Sequence, residues 1–277
     1  MTKEKYALLD TDFISKTHLI RKDNENRMID RIIEMPGYQF YCHEQIRNEL
    51  ARNTIGNPNE WLNDKIVEGC IQCITDERII DELQVVYSDL AAIAYINMLK
   101  NGCEAYKKGY FEENFTRLRN LNCLTLSKKA FLKELEADCE ELGDGRNLGE
   151  LKSYVLLQTL NIKLGEQIYV FCSDDKNARN GIVSLGGVRC ISVLSAFMRL
   201  DKAGILSKSD AEPYIRSYLN ERRKYNLTTF KVHDSSKEMR ICRVPCEKIF
   251  EEMYTGKLEE LQNGNLRYTT PEINVIK

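Results

Sequence analysis

The stretch Tyr6-Ala7-Leu8-Leu9-Asp10-Thr11-Asp12-Phe13-Ile14 decides how the rest of the chain is read. Its first four residues form an apolar run, the pattern of a short buried strand, and the run stops at an acid. Similar short runs return at residues 38–42, behind the Pro36-Gly37 break, and at residues 70–74, 167–172 and 188–192. Between them lie stretches with the apolar spacing of helices. Ile29, Ile32 and Ile33 mark one, residues 43–52 form another, and residues 76–100 carry Ile79, Leu83, Val86, Leu90 and Ile93 on one face. Further helices are predicted over 103–119, 128–142, 147–161 with Asn147 as N-cap, 174–185 stopped by Gly186-Gly187, 193–203 and 209–224. Residues 228–233 and 240–244 read as a strand pair, followed by a helix over 245–254.

Strands separated by helices imply right-handed crossovers and a parallel sheet covered on both faces. In such a sheet ligands bind outside the carboxyl ends of the strands, so the residues just after each strand carry the chemistry. The first strand ends in Asp10-Thr11-Asp12 and the fourth in Ser173-Asp174-Asp175. The helix after the second strand bears Glu44 and Glu49, and Glu150 stands in the first turn of its helix, where the dipole favours a carboxylate. Four segments thus offer acids to one rim. Clustered carboxylates repel unless a cation neutralises them, and hard oxygen ligands suit Mg²⁺ or Mn²⁺. An ion held there can activate a water and stabilise an in-line attack on a phosphodiester. Each acid alone has a plainer reading: an Asp at a strand end caps a helix or forms a turn, and Glu49 fits a solvated helix face.

The combination has a family pattern. Leu8-Leu9-Asp10-Thr11-Asp12-Phe13-Ile14 resembles the opening of PIN-domain nucleases, and Glu49-Leu50 resembles their second acidic position. Leu148-Gly149-Glu150 resembles the Gly-Glu that opens a later helix in a prokaryotic stand-alone branch of PIN-like proteins. Phe171-Cys172-Ser173-Asp174-Asp175-Lys176-Asn177-Ala178-Arg179 resembles that branch's Asp-Asp-x-x-Ala-Arg element, and the likeness continues from Leu185-Gly186-Gly187-Val188 to Ala203-Gly204-Ile205-Leu206. It covers residues 5–53 and 145–224.

The resemblance implies an α/β, three-layer PIN-like sandwich with a central parallel sheet of about four or five strands. This domain would span residues 1–224 with a helical insert at 54–143, and a C-terminal β/α extension would span 225–277. It implies Asp10, Glu49, Glu150 and Asp174 as the catalytic and metal-holding set, with Asp10 and Asp174 central. Asp12 and Asp175 would be outer ligands, and Thr11 and Ser173 would orient the carboxylates. Lys176 and Arg179 would meet substrate phosphates, although Arg179 could equally pair with an acid of the set. Asp144, before a glycine, is an extra ligand or a turn residue. Some family members bear a further acid a turn after the Glu of the third element; Ser153 and Tyr154 stand there in this chain, which leaves the number of metals open. The implied activity is a Mg²⁺- or Mn²⁺-dependent endoribonuclease cutting single-stranded RNA, a toxin or defence effector held by an inhibitory partner, in a homodimer or larger complex. The alternatives are a PIN-like module that binds nucleic acid or assembles without cutting, and a structure-specific DNA nuclease.

The composition narrows this further. With 43% hydrophobic residues among 277 the chain can bury a core, and its net charge of -2 excludes a protein that coats nucleic acid through bulk positive charge. A local contact, as at Arg222-Arg223-Lys224, stays open beside the plainer reading of cations at a helix end. No apolar run approaches the roughly 18 residues of a membrane span. The first residues lack the pattern of a signal peptide, so a cytoplasmic, reducing setting with free thiols is expected for the ten cysteines. Cys70-x-x-Cys73 lacks the second pair that closes a structural zinc site, and Cys242 and Cys246 have only His233 nearby in sequence. His18, His43 and His233 are too dispersed for a histidine-based hydrolase, although His43 opens the helix of Glu49.

Overall fold

The computed structural model describes residues 5–52, 55–123, 126–143, 147–164, 168, 170–175, 188–221, 227–233, 239–245, 247, 250–251, 254 and 274–276. Two compact units divide the chain: Met1–His18 with Ile33–Leu194, and Leu19–Ile32 with Ser195–Lys277. Residues 195–224, which the family resemblance groups with the PIN-like part, lie in the second unit.

The first unit is built on a five-stranded, wholly parallel sheet of β1 (Lys5–Leu9), β2 (Tyr38–His43), β3 (Ile71–Ile74), β4 (Val170–Cys172) and β5 (Arg189–Ile191), in the order β3-β2-β1-β4-β5. The strand order reverses at β1, which pairs with β2 on one side and with β4 on the other. Ala7, Leu8, Leu9, Val170, Phe171 and Cys172 are all buried, so both faces of the central strands are covered. That is why these strands read as unbroken apolar runs, with no alternation.

Helices α1 (Thr11–Leu19), α2 (Met28–Ile33), α3 (Glu44–Ala51), α4 (Pro58–Val67), α5 (Asp76–Tyr87), α6 (Ala91–Tyr106), α7 (Tyr110–Asn114), α8 (Thr116–Arg119), α9 (Lys128–Leu142) and α10 (Leu148–Leu164) follow in chain order. Leu8, Tyr41 and Phe171 stand side by side in the strand register and share one core with α5, α6, α9 and α10. The stretch 54–143 thus supplies helices to one face of the sheet, an arrangement consistent with a three-layer sandwich.

Two expected helices are broken. Residues 76–100 bend at Ser88, which has φ 50°, and a 3₁₀ turn over Ser88–Leu90 separates α5 from α6. A straight helix of that length would span about 37 Å and outrun the sheet; the bend folds it back so that Ile79 and Leu83 of α5 and Tyr95 and Leu99 of α6 enter one core. The apolar stripe splits in consequence, with Val86 and Leu90 left exposed. Residues 103–119 break after Tyr106, where Lys107 turns extended and ends α6, and the chain re-enters a helix at α7 through Gly109, whose φ of 79° is left-handed.

The second unit contains α11 (Val193–Lys202) from Ser195 onward, α12 (Lys208–Glu221) and an antiparallel sheet of β6 (Leu227–His233), β7 (Met239–Pro245) and β8 (Asn274–Ile276). Phe197, Tyr218 and Phe250 pack edge to face, with ring centroids 5.1–6.5 Å apart. No helix among the described residues is long and apolar enough to cross a membrane.

Candidate functional site

The carboxyl ends of β1 and β4 meet directly. The Asp10 N–H donates to the Cys172 carbonyl (3.1 Å), and the Asp10 carbonyl accepts from Ile14 N–H (3.0 Å) to start α1. The Asp10 side chain is buried and accepts from Ser173 Oγ (2.7 Å), whose oxygen in turn accepts from Asp175 N–H (3.1 Å). Burial, reinforced by Glu150 and Asp12, pushes the Asp10 carboxyl well above the usual carboxylate range, against the pull of the Ser173 bond.

Glu49 reaches the same rim from α3. Thr11 Oγ1 donates to its Oε2 at 2.6 Å. Its carboxylate lies against the first turn of α10, where a Cβ on Gly149 would meet Oε2 at 2.6 Å and Oε1 at 2.7 Å. Gly149 is therefore the residue that lets Glu49 and Glu150 share the rim. Burial, with Glu49, Asp175 and Asp12 adding to it, pushes Glu150 up to about 7. Asp174 accepts from Val193 N–H through Oδ1 (3.1 Å) and pairs with Lys16 Nζ through Oδ2 (3.2 Å). The same ammonium bonds Asp12 Oδ2 (2.7 Å). Asp12 is raised by burial and by Asp174 and Asp175, while Lys16 opposes the rise.

Asp10, Thr11, Asp12, Glu49, Glu150, Ser173, Asp174 and Asp175 therefore gather along one rim in direct bonds or mutual fields. The four acids Asp10, Glu49, Glu150 and Asp174 do not close into a tight ligand cluster. Lys176, Arg179 and Asp144 lie outside the described residues.

A tighter group stands at the ends of β2 and β3. His43, Glu44 and Asp76 each offer a ligand atom, all within 4.8 Å of one another. The inventory of bonds there is full. His43 is the N-cap of α3: Nδ1 accepts from Gln45 N–H (3.0 Å), which leaves Nε2–H to donate to Asp76 Oδ1 (3.2 Å). Tyr95 Oη and Lys152 Nζ also donate to Asp76, and the Asp76 N–H donates to Glu44 Oε1 (3.1 Å). Burial alone would raise Asp76, yet Lys152 and His43 hold its carboxyl well below the usual range. The cation of this group is the buried Lys152 ammonium, so a metal ion there would have to displace it.

Sequence reasoning missed Lys16, Asp76, Tyr95 and Lys152. Lys152 had a signal: it sits in Leu151-Lys152-Ser153-Tyr154-Val155-Leu156-Leu157, buried at every position, and a charge in such a stretch needs a buried partner. Lys16 had a weaker one, its spacing of four from Asp12 on a helix. Nothing in the sequence paired Asp76 with Lys152, because they meet only through the fold.

No model of a known protein family matches the chain, and no curated protein matches it.

Proposed function

We propose that the chain is a PIN-like, metal-dependent phosphodiesterase and that it cuts single-stranded RNA. The observation that carries this reading is the convergence of oxygen-only donors from four segments: Asp10 after β1, Glu49 on α3, Glu150 on α10 and Asp174 after β4. The donor chemistry fits Mg²⁺ or Mn²⁺. Burial and mutual repulsion raise Asp10 and Glu150, and a divalent cation would favour their ionised forms. Asp10, Glu49, Glu150 and Asp174 would hold the ion, which when bound polarises the phosphodiester and lowers the pKa of an attacking water. Ser173 and Thr11 orient the Asp10 and Glu49 carboxylates by direct hydrogen bonds. The choice of RNA, and of a toxin or defence role under an inhibitory partner, rests on the resemblance of the motifs.

Cleavage of a labelled RNA oligomer in Mn²⁺ by the parent, and loss of at least about a hundredfold in rate in Asp10→Asn and Asp174→Asn, is the expected result. Variants as fast as the parent would overturn the assignment. Matched DNA oligomers run beside the RNA separate a DNA nuclease from an RNA nuclease.

The rival reading is a PIN-like module that binds or assembles without cutting. Lys16 favours it, because its ammonium already neutralises Asp12 and Asp174. A live site gains thermal stability from Mn²⁺ by linkage, and Asp10→Asn loses that gain. A parent without the gain favours the rival.

A further inference from the structure

Cys70-Ile71-Gln72-Cys73 has the spacing of a redox motif, but the fold gives Cys73 a different neighbour. Ile71 and Gln72, the two residues between the cysteines, are extended in β3. Cys70 and Cys73 therefore stand about 10 Å apart at Cα, beyond the roughly 7 Å that a disulfide can span. Cys70 is exposed, and its thiol donates to Glu68 Oε2 (3.8 Å). Across the sheet, Cys73 is paired in register with Cys42 of β2. Residues paired in register on neighbouring parallel strands point to the same face, with their backbones about 4.8 Å apart. Both thiols are free, so they lie side by side within the Cα range of a disulfide.

The two cysteines differ in the way an attacking and a resolving thiol differ. Cys42 is fully buried on an inner strand, whereas Cys73 is half-buried on β3, an edge strand of four residues paired only with β2. Cys73 and burial push the Cys42 thiol well up. Cys42 as a donor lowers Cys73, helped by Arg47 and opposed by burial and Glu44. The reachable sulfur is thus the one that ionises more readily, and the thiolate is the nucleophile. A bond between them needs its β-carbons about 3.8 Å apart, closer than the strands stand, so it would carry strain. Strained disulfides are the readily reduced ones. The short edge strand is the element free to yield.

We propose that Cys73 and Cys42 form an oxidisable dithiol that reacts with peroxide and closes a reversible disulfide between β3 and β2. The Cys73 thiolate attacks one oxygen of hydrogen peroxide and the O–O bond breaks, giving a sulfenic acid and a hydroxide that takes up a proton as water. The Cys42 sulfur then attacks the Cys73 sulfur, the S–O bond breaks, and the departing hydroxide leaves as water with the Cys42 proton. Two thiols are oxidised to one disulfide, and one peroxide is reduced to two waters. The bond lies one residue before His43, the N-cap of α3. The proposal stands apart from the nuclease reading and needs no metal.

The full chain, reduced and folded in native buffer, is treated with hydrogen peroxide, alkylated and mapped by mass spectrometry without reduction. The expected product is a peptide pair joined through Cys42 and Cys73, lighter by two hydrogens and separated again by dithiothreitol while the chain stays folded. Cys70→Ser should form the same link at an unchanged rate. Cys42→Ser should lose the link and leave Cys73 as a sulfenic acid that dimedone traps. The parent decides the matter even if Cys42→Ser folds poorly. A Cys70–Cys73 link overturns the proposal. So does a Cys73 still open to alkylation once the exposed Cys70 has been oxidised, or a link that forms only after the chain is unfolded in urea; each would mark Cys42 and Cys73 as packing residues alone.

Discussion

The ends of β1 and β4 and the ends of β2 and β3 hold buried carboxylates in opposite electrostatic states. At β2 and β3, Asp76 is held low by a buried ammonium and a histidine, and every donor around it is used. At β1 and β4, Asp10 and Glu150 are pushed up, and no cation of the described residues pairs with either. Lys16 bonds Asp12 and Asp174 and leaves Asp10 and Glu150 without an ion pair among the described residues. The first arrangement is complete within the chain and ties α5, α6 and α10 together. The second costs stability, which is what the metal site proposed above would require of it.

Removing the internal cation is the harshest way to break this contrast. Lys152→Met should destabilise by about 3–5 kcal/mol in denaturant titration, because it leaves Asp76 buried without its ammonium. The double variant Lys152→Met with Asp76→Asn should recover most of that loss, as expected when a pair is replaced and not merely broken. A Lys152→Met cost below about 1 kcal/mol would mean that the pair is solvated and that the two regions do not differ in kind.

The pH dependence sharpens the contrast next. Glu150 has a folded pKa of about 7 against about 4.3 in the unfolded chain, so the folded state holds its proton more tightly. The stability that this proton contributes is present below pH 4.3 and is lost as the pH rises through 7. The raised Asp10 acts in the same sense. Asp76 acts in the opposite sense: its contribution is present above about pH 4 and is lost only below it. The metal-free protein should therefore lose about 2–3 kcal/mol between pH 5 and pH 8. Glu150→Gln should flatten that slope and be the more stable protein at pH 8. Superimposable profiles for parent and variant would sink the claim that Glu150 is strained.

The central strands β1 and β4 were legible because strands buried on both faces give unbroken apolar runs, whereas the edge strands β3 and β5 are partly exposed and were legible through their breaks and their place between helices. The acids at their ends were legible through the rule that chemistry follows the carboxyl ends of parallel strands. The bend at Ser88 was not, because neither glycine nor proline marks it; the limit on helix length comes from the sheet beneath. The seam of α6 and α10 was equally hidden, since the contacts of Thr159 with Met98 and of Gly102 with Tyr154 join residues far apart in sequence. The Asp76–Lys152 pair shows the same limit: a lysine in an apolar helix announces that it needs a partner, not which one.

Gly149 joins sequence and geometry most closely and offers the mildest test. In the sequence it is half of a Gly-Glu step that also suits an ordinary helix start. In the structure a Cβ there would lie 2.9 Å from Glu49 Cδ and closer still to both carboxylate oxygens. The atoms it would strike are the tip of a flexible side chain, so the fold can yield where the site cannot. Alanine also has the higher helix propensity, by about 1 kcal/mol, which offsets local crowding. Gly149→Ala should thus change stability by less than about 1 kcal/mol. Glu49 should meanwhile move off Thr11, and Mn²⁺ affinity should fall about tenfold, the scale seen when support of a ligand is lost. Calorimetric titration of Mn²⁺ into parent and variant, beside a urea melt of each, reads both quantities. A variant that unfolds early but binds Mn²⁺ as the parent does would show that Gly149 serves packing alone and that Glu49 is no part of the rim's chemistry.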